Sequence, residues 1–393
     1  MSWIDRLLAR KKQKKQTQRQ EARLCLEHLE DRIVPATKLI SAVDPTLVNG
    51  SASANGLSTA TNQGSVSDDG RYVVYLSDAT NLVDGTDNNN TDDVFLYDNQ
   101  DSSTTLISRK AGESTTTAGN DRSYIPTISG DGKWVAFVSE ATDPVSGVTF
   151  GGGSPSHVYL YDVVNDSLEL ITMKHDSTTE AANTGISTAT AMPSLSDDGQ
   201  YLAFISDATN LIDGQTSSRD GSSISSLTGE PPQDAFLYDR LATSDKISMV
   251  SHIPTNEKSG GNEYTSLVTV SGDGSTVAFV SFSTNLGQTA DRSSTSPDLF
   301  IYDVETTDVT LVTHDASNDD TSAASQADQD FLPPSISDDG QLITYASKSS
   351  TLVTNQSEKV ADIVGATHDG FLTATITTAE AHNLAVGQQV NIT

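Results

Sequence analysis

The sequence predicts an all-β fold made of repeated four-stranded antiparallel units. Three observations support this. First, one phrase returns five times, a Ser followed by a tight Asp-Gly turn: Ser67-Asp68-Asp69-Gly70, Ser129-Gly130-Asp131-Gly132, Ser196-Asp197-Asp198-Gly199, Ser271-Gly272-Asp273-Gly274 and Ser337-Asp338-Asp339-Gly340. Self-similarity at a near-constant period marks a repeat architecture. Second, each phrase is followed by an apolar run without alternation: Tyr72–Leu76, Trp134–Val138, Tyr201–Ile205 and Val277–Val280. Such runs read as strands buried on both faces. Third, a phrase of the form Asp-Val-Phe-Leu-Tyr-Asp recurs at Asp93–Asp98, His157–Asp162, Asp234–Asp239 and Asp298–Asp303.

Each repeat supplies its elements in one order. A short first strand ends in the anchor Ser, as in Pro126–Ser129 and Pro334–Ser337. The Asp-Gly turn leads to the second strand, because Gly supplies the positive φ of a tight hairpin. The third strand is the Asp-to-Asp phrase. The fourth is Thr104–Ser108, Leu168–Thr172, Lys246–Ser251 or Val309–Thr313. Four antiparallel strands shielded on both faces describe a β-propeller blade packed between two others. An orphan fourth strand, Thr37–Ser41, precedes the first anchor. The fifth repeat keeps first and second strands (Ser335–Ser337, Leu342–Ala346), a degenerate third near Ala361–Val364, and no fourth. The N-terminal strand is therefore expected to close the last blade. That count gives five blades, with six as the alternative.

The phrases "SxDG-xxVAFxS" and "DVFLYD" resemble the Tol-B type (WD40-like) β-propeller repeats over residues 37–367. The resemblance implies a β-propeller engaged in protein interaction at a bacterial envelope. In peptidases with such propellers, the ring gates a separate hydrolase domain. Fold likeness does not by itself transfer function.

Charge is unevenly spread. Residues 1–35 carry nine Lys/Arg and five Asp/Glu of the chain's 23 and 53, which leaves 14 against 48, a net of −34, for the remainder. That acidity argues against nucleic acid, whose affinity comes from cationic side chains replacing counterions. It suits solubility, cations or basic partners. The single cysteine, Cys25, excludes a disulfide framework. No apolar run approaches the ~18 residues of a transmembrane helix, and no standard signal-peptide apolar core is present.

Residues 1–36 are expected to be a basic leader. Leu26-Glu-His-Leu-Glu-Asp-Arg-Ile-Val-Pro-Ala36 resembles the "LExLEDRxxPA" motif at the start of many bacterial surface or secreted proteins. It implies export, an extracellular, cell-surface or periplasmic location, and processing after Ala36. A short basic amphipathic helix is the other reading. Residues 37–367 form the propeller in this division, and 368–393 the start of a further β-domain that stops mid-pattern.

First-to-second and third-to-fourth turns are short, whereas second-to-third loops such as Asp84–Asp92 and Asp213–Gln233 are long and dissimilar. The blade-to-blade segments Lys110–Tyr124 and Asp315–Phe331 are long as well. The long-loop rim is the expected binding face, since loops on rigid scaffolds carry recognition. On it, Asp84, Asp87, Asn88, Asn90 and Asp92 are candidate calcium ligands, because calcium takes six to eight oxygens at irregular spacing. Ordinary solvated turns use the same residues.

His175, His252 and His314 follow fourth strands, with Arg109-Lys110 at the matching place in the first repeat. They offer a metal-binding or pH-sensitive ring, or merely repeated polar loop positions. No nucleophile elbow, zinc-protease pair or phosphate loop is present. The expected function is a non-enzymatic exported scaffold binding an envelope or extracellular protein or glycan, with no cofactor apart from that calcium. The alternative is an accessory domain of a larger surface enzyme or adhesin.

Overall fold

A computed structural model describes residues 39–44, 53–60, 64–85, 87, 89–112, 117–151, 156–184, 192–216, 233–286, 297–315, 318–322, 334–345, 363–368 and 374–378. The chain divides into two compact units, Met1–Leu39 and Ile40–Thr393. The leader and its cleavage motif lie outside the described residues. All the described strands belong to the second unit.

Four complete sheets succeed one another along the chain. The first comprises β1 (Ser58–Thr59), β2 (Tyr72–Ser77), β3 (Asp93–Asp98) and β4 (Ser103–Leu106). The second comprises β5 (Ser123–Ile128), β6 (Trp134–Ser139), β7 (His157–Asp162) and β8 (Ser167–Leu170). The third is β9 (Ser194–Leu195), β10 (Tyr201–Ser206), β11 (Asp234–Asp239) and β12 (Ile247–Met249). A hairpin, β13 (His252–Ile253) with β14 (Asn256–Gly260), precedes the fourth sheet of β15 (Thr265–Val270), β16 (Thr276–Ser281), β17 (Asp298–Asp303) and β18 (Val309–Leu311). In each sheet the strands pair antiparallel in sequence order. These are the four-stranded units of a β-propeller, as the repeats predict.

The register explains the aromatic residues of the repeat. Second and third strands pair directly at Tyr75↔Phe95, Phe137↔Tyr159, Phe204↔Phe236 and Phe279↔Phe300. The facing rings stack with centroids 5.7, 5.6, 5.6 and 5.4 Å apart. Stacked pairs of this kind add about 0.5–1.5 kcal/mol beyond the area they bury. The rows either side pack against the neighbouring sheet. One cluster joins Val138 and Leu160 of the second sheet, Phe204 and Phe236 of the third, and Val270 and Phe279 of the fourth. Both faces of the middle strands are thus buried, which is why their apolar runs lack alternation. The first strands of successive sheets approach one another (β5 with β9, β9 with β15), so they lie innermost.

Two differences from expectation stand out. The segments read as long blade-to-blade loops contain paired backbone: an Arg109↔Ala118 bridge after the first sheet, a Met173↔Ala181 bridge after the second, the β13–β14 hairpin, and β19 (His314–Asp315) with β20 (Asn318–Ser322). Stretches such as Asn256-Glu-Lys-Ser-Gly have little strand propensity of their own. Main-chain pairing shapes them, without an apolar face to announce it.

The second difference concerns the fifth repeat. It shows β21 (Ser335–Ile336) with β22 (Ile343–Thr344), its first and second strands. Its expected third strand begins β23 (Ile363–His368), which pairs with β24 (Ala374–Thr378). This hairpin crosses the boundary drawn at 367/368.

Candidate functional site

The two rims are built differently. On the long-loop rim, one device fixes both classes of loop. Asn120 Oδ1 accepts the Thr142 amide at 2.8 Å, its Nδ2 donates to Thr142 Oγ1 at 3.0 Å, and Asp143 Oδ1 accepts the Asn120 amide at 2.8 Å. The same reciprocal clip joins Asn55 to Thr80 and Asn81, Asn183 to Thr209 and Asn210, and Asn262 to Thr284 and Asn285. The first residue stands just before a first strand and its partners just after the second strand. Each clip therefore ties a blade-to-blade loop to a second-to-third loop. The sequence carries this signal as the recurrent Ala/Ser-Thr-Asn/Asp after the second strand.

The acidic loop of the first sheet lies beside its clip. Asp84, Asn90 and Asp92 are exposed, and Asp87 is half-buried. Asp87 Oδ1 accepts the Asn89 amide at 3.2 Å, and Asn90 takes a left-handed φ of 54°. Burial raises the Asp87 carboxyl above its ordinary range. Asn88 lies outside the described residues. Among the described residues, no group of three or more His, Cys, Asp or Glu side chains stands together to hold a metal ion.

Asp93, next in sequence, belongs to a lock in the strands. Ser108 Oγ donates to Asp93 Oδ1 at 2.7 Å while accepting the Val94 amide at 2.9 Å. Ser251 with Asp234 and Thr313 with Asp298 repeat it at 2.9 and 2.6 Å. His157 takes the carboxylate's place in the second sheet. That imidazole and its Thr172 partner are buried, so the pair is a strand lock and offers no accessible nucleophile.

The residues after the fourth strands tie adjacent sheets. Arg109 Nη2 donates to the carbonyl and Oδ1 of Asp166, at 3.0 and 2.6 Å. His175 Nε2 stands 3.3 Å from Asp245 Oδ1, and His252 Nε2 stands 3.0 Å from the Thr307 carbonyl. Asp166, Asp245 and Thr307 all occupy the left-handed residue of a third-to-fourth turn, with φ of 52°, 47° and 61°. The structure thus gives His175 and His252 separate partners, 70 and 55 residues away in the next sheet. Beside them a groove of about 860 Å³ runs between the third and fourth sheets, lined by Ile212, Asp245, Met249, His252, Glu257 and Tyr302 among others.

The short-turn rim is self-contained. Ser67 Oγ donates to Asp69 Oδ1 at 2.7 Å and accepts the Tyr72 amide at 3.0 Å, while Asp69 accepts the Arg71 amide at 2.9 Å. The Ser67 hydroxyl bond, with the Arg71 amide, holds the Asp69 carboxyl below its ordinary value. The other four anchors repeat the Ser-to-Asp bond at 2.6–2.9 Å. The anchor Asp is therefore a turn residue. Burial raises the Asp197 carboxyl, and Asp338 and Asp68 add to the shift, so these side chains share one region.

No protein-family model and no curated protein matches the chain. Solved structures do. TolB from Acinetobacter baumannii is similar at 16% identity and a TM-score of 0.35, over 72% of this chain and 48% of its own. A prolyl endopeptidase matches at 11% identity and a TM-score of 0.37, over 65% and 29%. Oligogalacturonate lyase from Vibrio parahaemolyticus matches at 11% and 0.35, over 74% and 71%. The chain spans about half of that TolB and less than a third of the endopeptidase.

Proposed function

We propose that this chain is an exported, non-enzymatic β-propeller scaffold that binds a protein or glycan of the cell envelope or extracellular space through its long-loop rim. The four asparagine clips carry this reading. They fix the points where dissimilar loops leave the sheets, and such preorganisation lowers the ordering cost of binding. The short-turn rim spends its polar groups on its own turns and their neighbours. The acidic surface favours a partner that is neutral or basic.

The test is a loop exchange. Residues 84–92 and 213–233 are replaced by Gly-Ser linkers, and capture from a glycan array and an envelope fraction is compared with the parent chain. Capture falls at least tenfold while the melting temperature stays within a few degrees. Capture lost only on changing the short turns would place binding on the opposite rim.

A further inference from the structure

The second position of the anchor alternates along the chain: Asp68, Gly130, Asp197, Gly272, Asp338. The structure gives a reason. The Asp68 amide donates to the Gly130 carbonyl at 2.9 Å, and the Asp197 amide to the Gly272 carbonyl at 2.8 Å. Between these, the third-position amide takes over: Asp131 donates to the Asp197 carbonyl at 2.8 Å and Asp273 to the Asp338 carbonyl at 2.7 Å. The Asp68 and Asp197 carboxylates lie over neighbouring glycines. A Cβ on Gly130 would stand 2.5 Å from Asp68 Oδ2 and 3.1 Å from Asp197 Oδ1, and one on Gly272 would stand 2.4 Å from Asp197 Oδ2. Two turn types must alternate for the ladder to form.

Five is odd, so both ends of the ladder are of the Asp type. By the same pattern, the Asp338 amide requires a glycine carbonyl and the Asp68 carbonyl requires a third-position amide. Neither end supplies what the other needs. A second copy of this chain presents the same two Asp-type ends and fits no better.

Side-chain packing shows the same two unsatisfied edges. The residue after each turn packs on the turn glycine of the following sheet. A Cβ on Gly132 would meet Tyr72 at 2.8 Å, on Gly199 Trp134 at 2.2 Å, on Gly274 Tyr201 at 2.2 Å and on Gly340 Thr276 at 2.6 Å. Gly70 has nothing within 4 Å of that position, and Leu342 is 64% exposed. Val66 is 52% exposed, whereas Ile128 and Val270 at the same repeat position are 4% and 5% exposed.

Residues 40–44 mark the same edge. Ala54 donates to the Ser41 carbonyl at 3.0 Å, and Asp44 to the Asn81 carbonyl at 3.1 Å. Gly119 with Ser108 and Ala111 with Asp143 form the same bonds at 3.0 and 2.8 Å, so Ser41 stands where a fourth strand ends. Among the described residues its hydroxyl has no partner Asp of the kind that Ser108, Ser251 and Thr313 each have.

We propose that the edges of the first sheet and of the fifth repeat's β21–β22 pair form an acceptor for three strands of one further sheet of the same repeat, with the segment that ends at Ser41 in the place of its fourth strand. Its first turn carries Gly in the second place, as Ser-Gly-Asp-Gly does. Its third strand begins with Asp, to accept the Ser41 hydroxyl.

The test has two arms on the full chain. Asp68→Cys with Asp338→Cys is oxidised alongside the control Asp68→Cys with Gly130→Cys. The control cross-links within one molecule and the end-to-end pair does not; equal cross-linking means a closed five-sheet ring and overturns the proposal. In the second arm, residues 261–303, which carry Gly272 in the turn and Asp298 at the head of the third strand, are fused to a soluble carrier and serve as the probe. The chain binds this probe and binds its Gly272→Asp version at least tenfold more weakly. Leu342→Asp in the chain abolishes capture without lowering the melting temperature. No binding, or equal binding of both probes, also overturns it.

Discussion

His157 Nδ1 stands 3.0 Å from Thr172 Oγ1, in the place where three sister sheets join an Asp to a Ser or Thr. Thr172 Oγ1 also accepts the Val158 amide at 3.2 Å, as Ser108 accepts that of Val94. The hydroxyl therefore donates to a neutral imidazole. Burial lowers the His157 pKa to about 4, and Phe150 packs edge-on at 5.1 Å.

Protonation of His157 should limit stability in acid. Its folded value of about 4 lies below the ordinary 6.5. The unfolded chain thus binds the extra proton first, and stability falls as pH drops from about 6.5 towards 4. The loss approaches 3 kcal/mol at most. Melting curves for the parent chain and His157→Gln between pH 4.5 and 7.5 check this: the parent's advantage shrinks on acidification. A constant difference across that range counts against it.

Asp93 should act in the opposite sense. Burial lifts its pKa from 3.8 to about 7. The folded state holds the proton between those values, so this site's contribution falls as pH rises from about 4 through 7. Asp93→Asn removes the dependence. The variant should gain on the parent chain by on the order of 2–4 kcal/mol between pH 4.5 and 8, read from urea midpoints at several pH values.

Gly199 and Gly70 occupy one repeat position with φ of 64° and 68°. A Cβ on Gly199 would lie 2.2 Å from Trp134, whose ring carries Arg240 at 4.1 Å, and Arg240 Nε donates to the Gly199 carbonyl at 3.0 Å. Gly199→Ala should cost about 3 kcal/mol or more. Gly70→Ala should cost only the left-handed strain of about 1–2 kcal/mol. Comparable losses in thermal denaturation would argue against sheet-to-sheet packing at this turn.

Asn183→Ala removes both side-chain bonds to Thr209 and leaves the backbone amide of residue 183 bonded to Asn210 Oδ1. The expected cost is about 1–2 kcal/mol, with faster amide exchange at Thr209 and unchanged protection in β10 and β11. Exchange that rises evenly over the third sheet would mean the clip supports the whole blade.

Strand order and the buried second and third strands were legible because both depend on local pattern: Gly at a tight turn, unbroken apolar runs, aromatic residues at a fixed offset from the anchor. The loop clips were legible only in part. Asn120 means nothing until the fold brings Thr142 beside it. The sheet-to-sheet ties of His175 and His252 were open to several readings for the same reason, since their partners lie 70 and 55 residues away.

By itself, then, the sequence determined the repeated four-stranded unit and its doubly buried centre, through short-range sterics and the alternation or continuity of apolar side chains. Tertiary structure alone decided what the repeated polar residues do. It made the third-position Asp a turn lock and the second position an alternating contact with the next sheet. Such roles are fixed by which backbone or carboxylate arrives from a neighbouring sheet, and that distance is not written in the spacing along the chain.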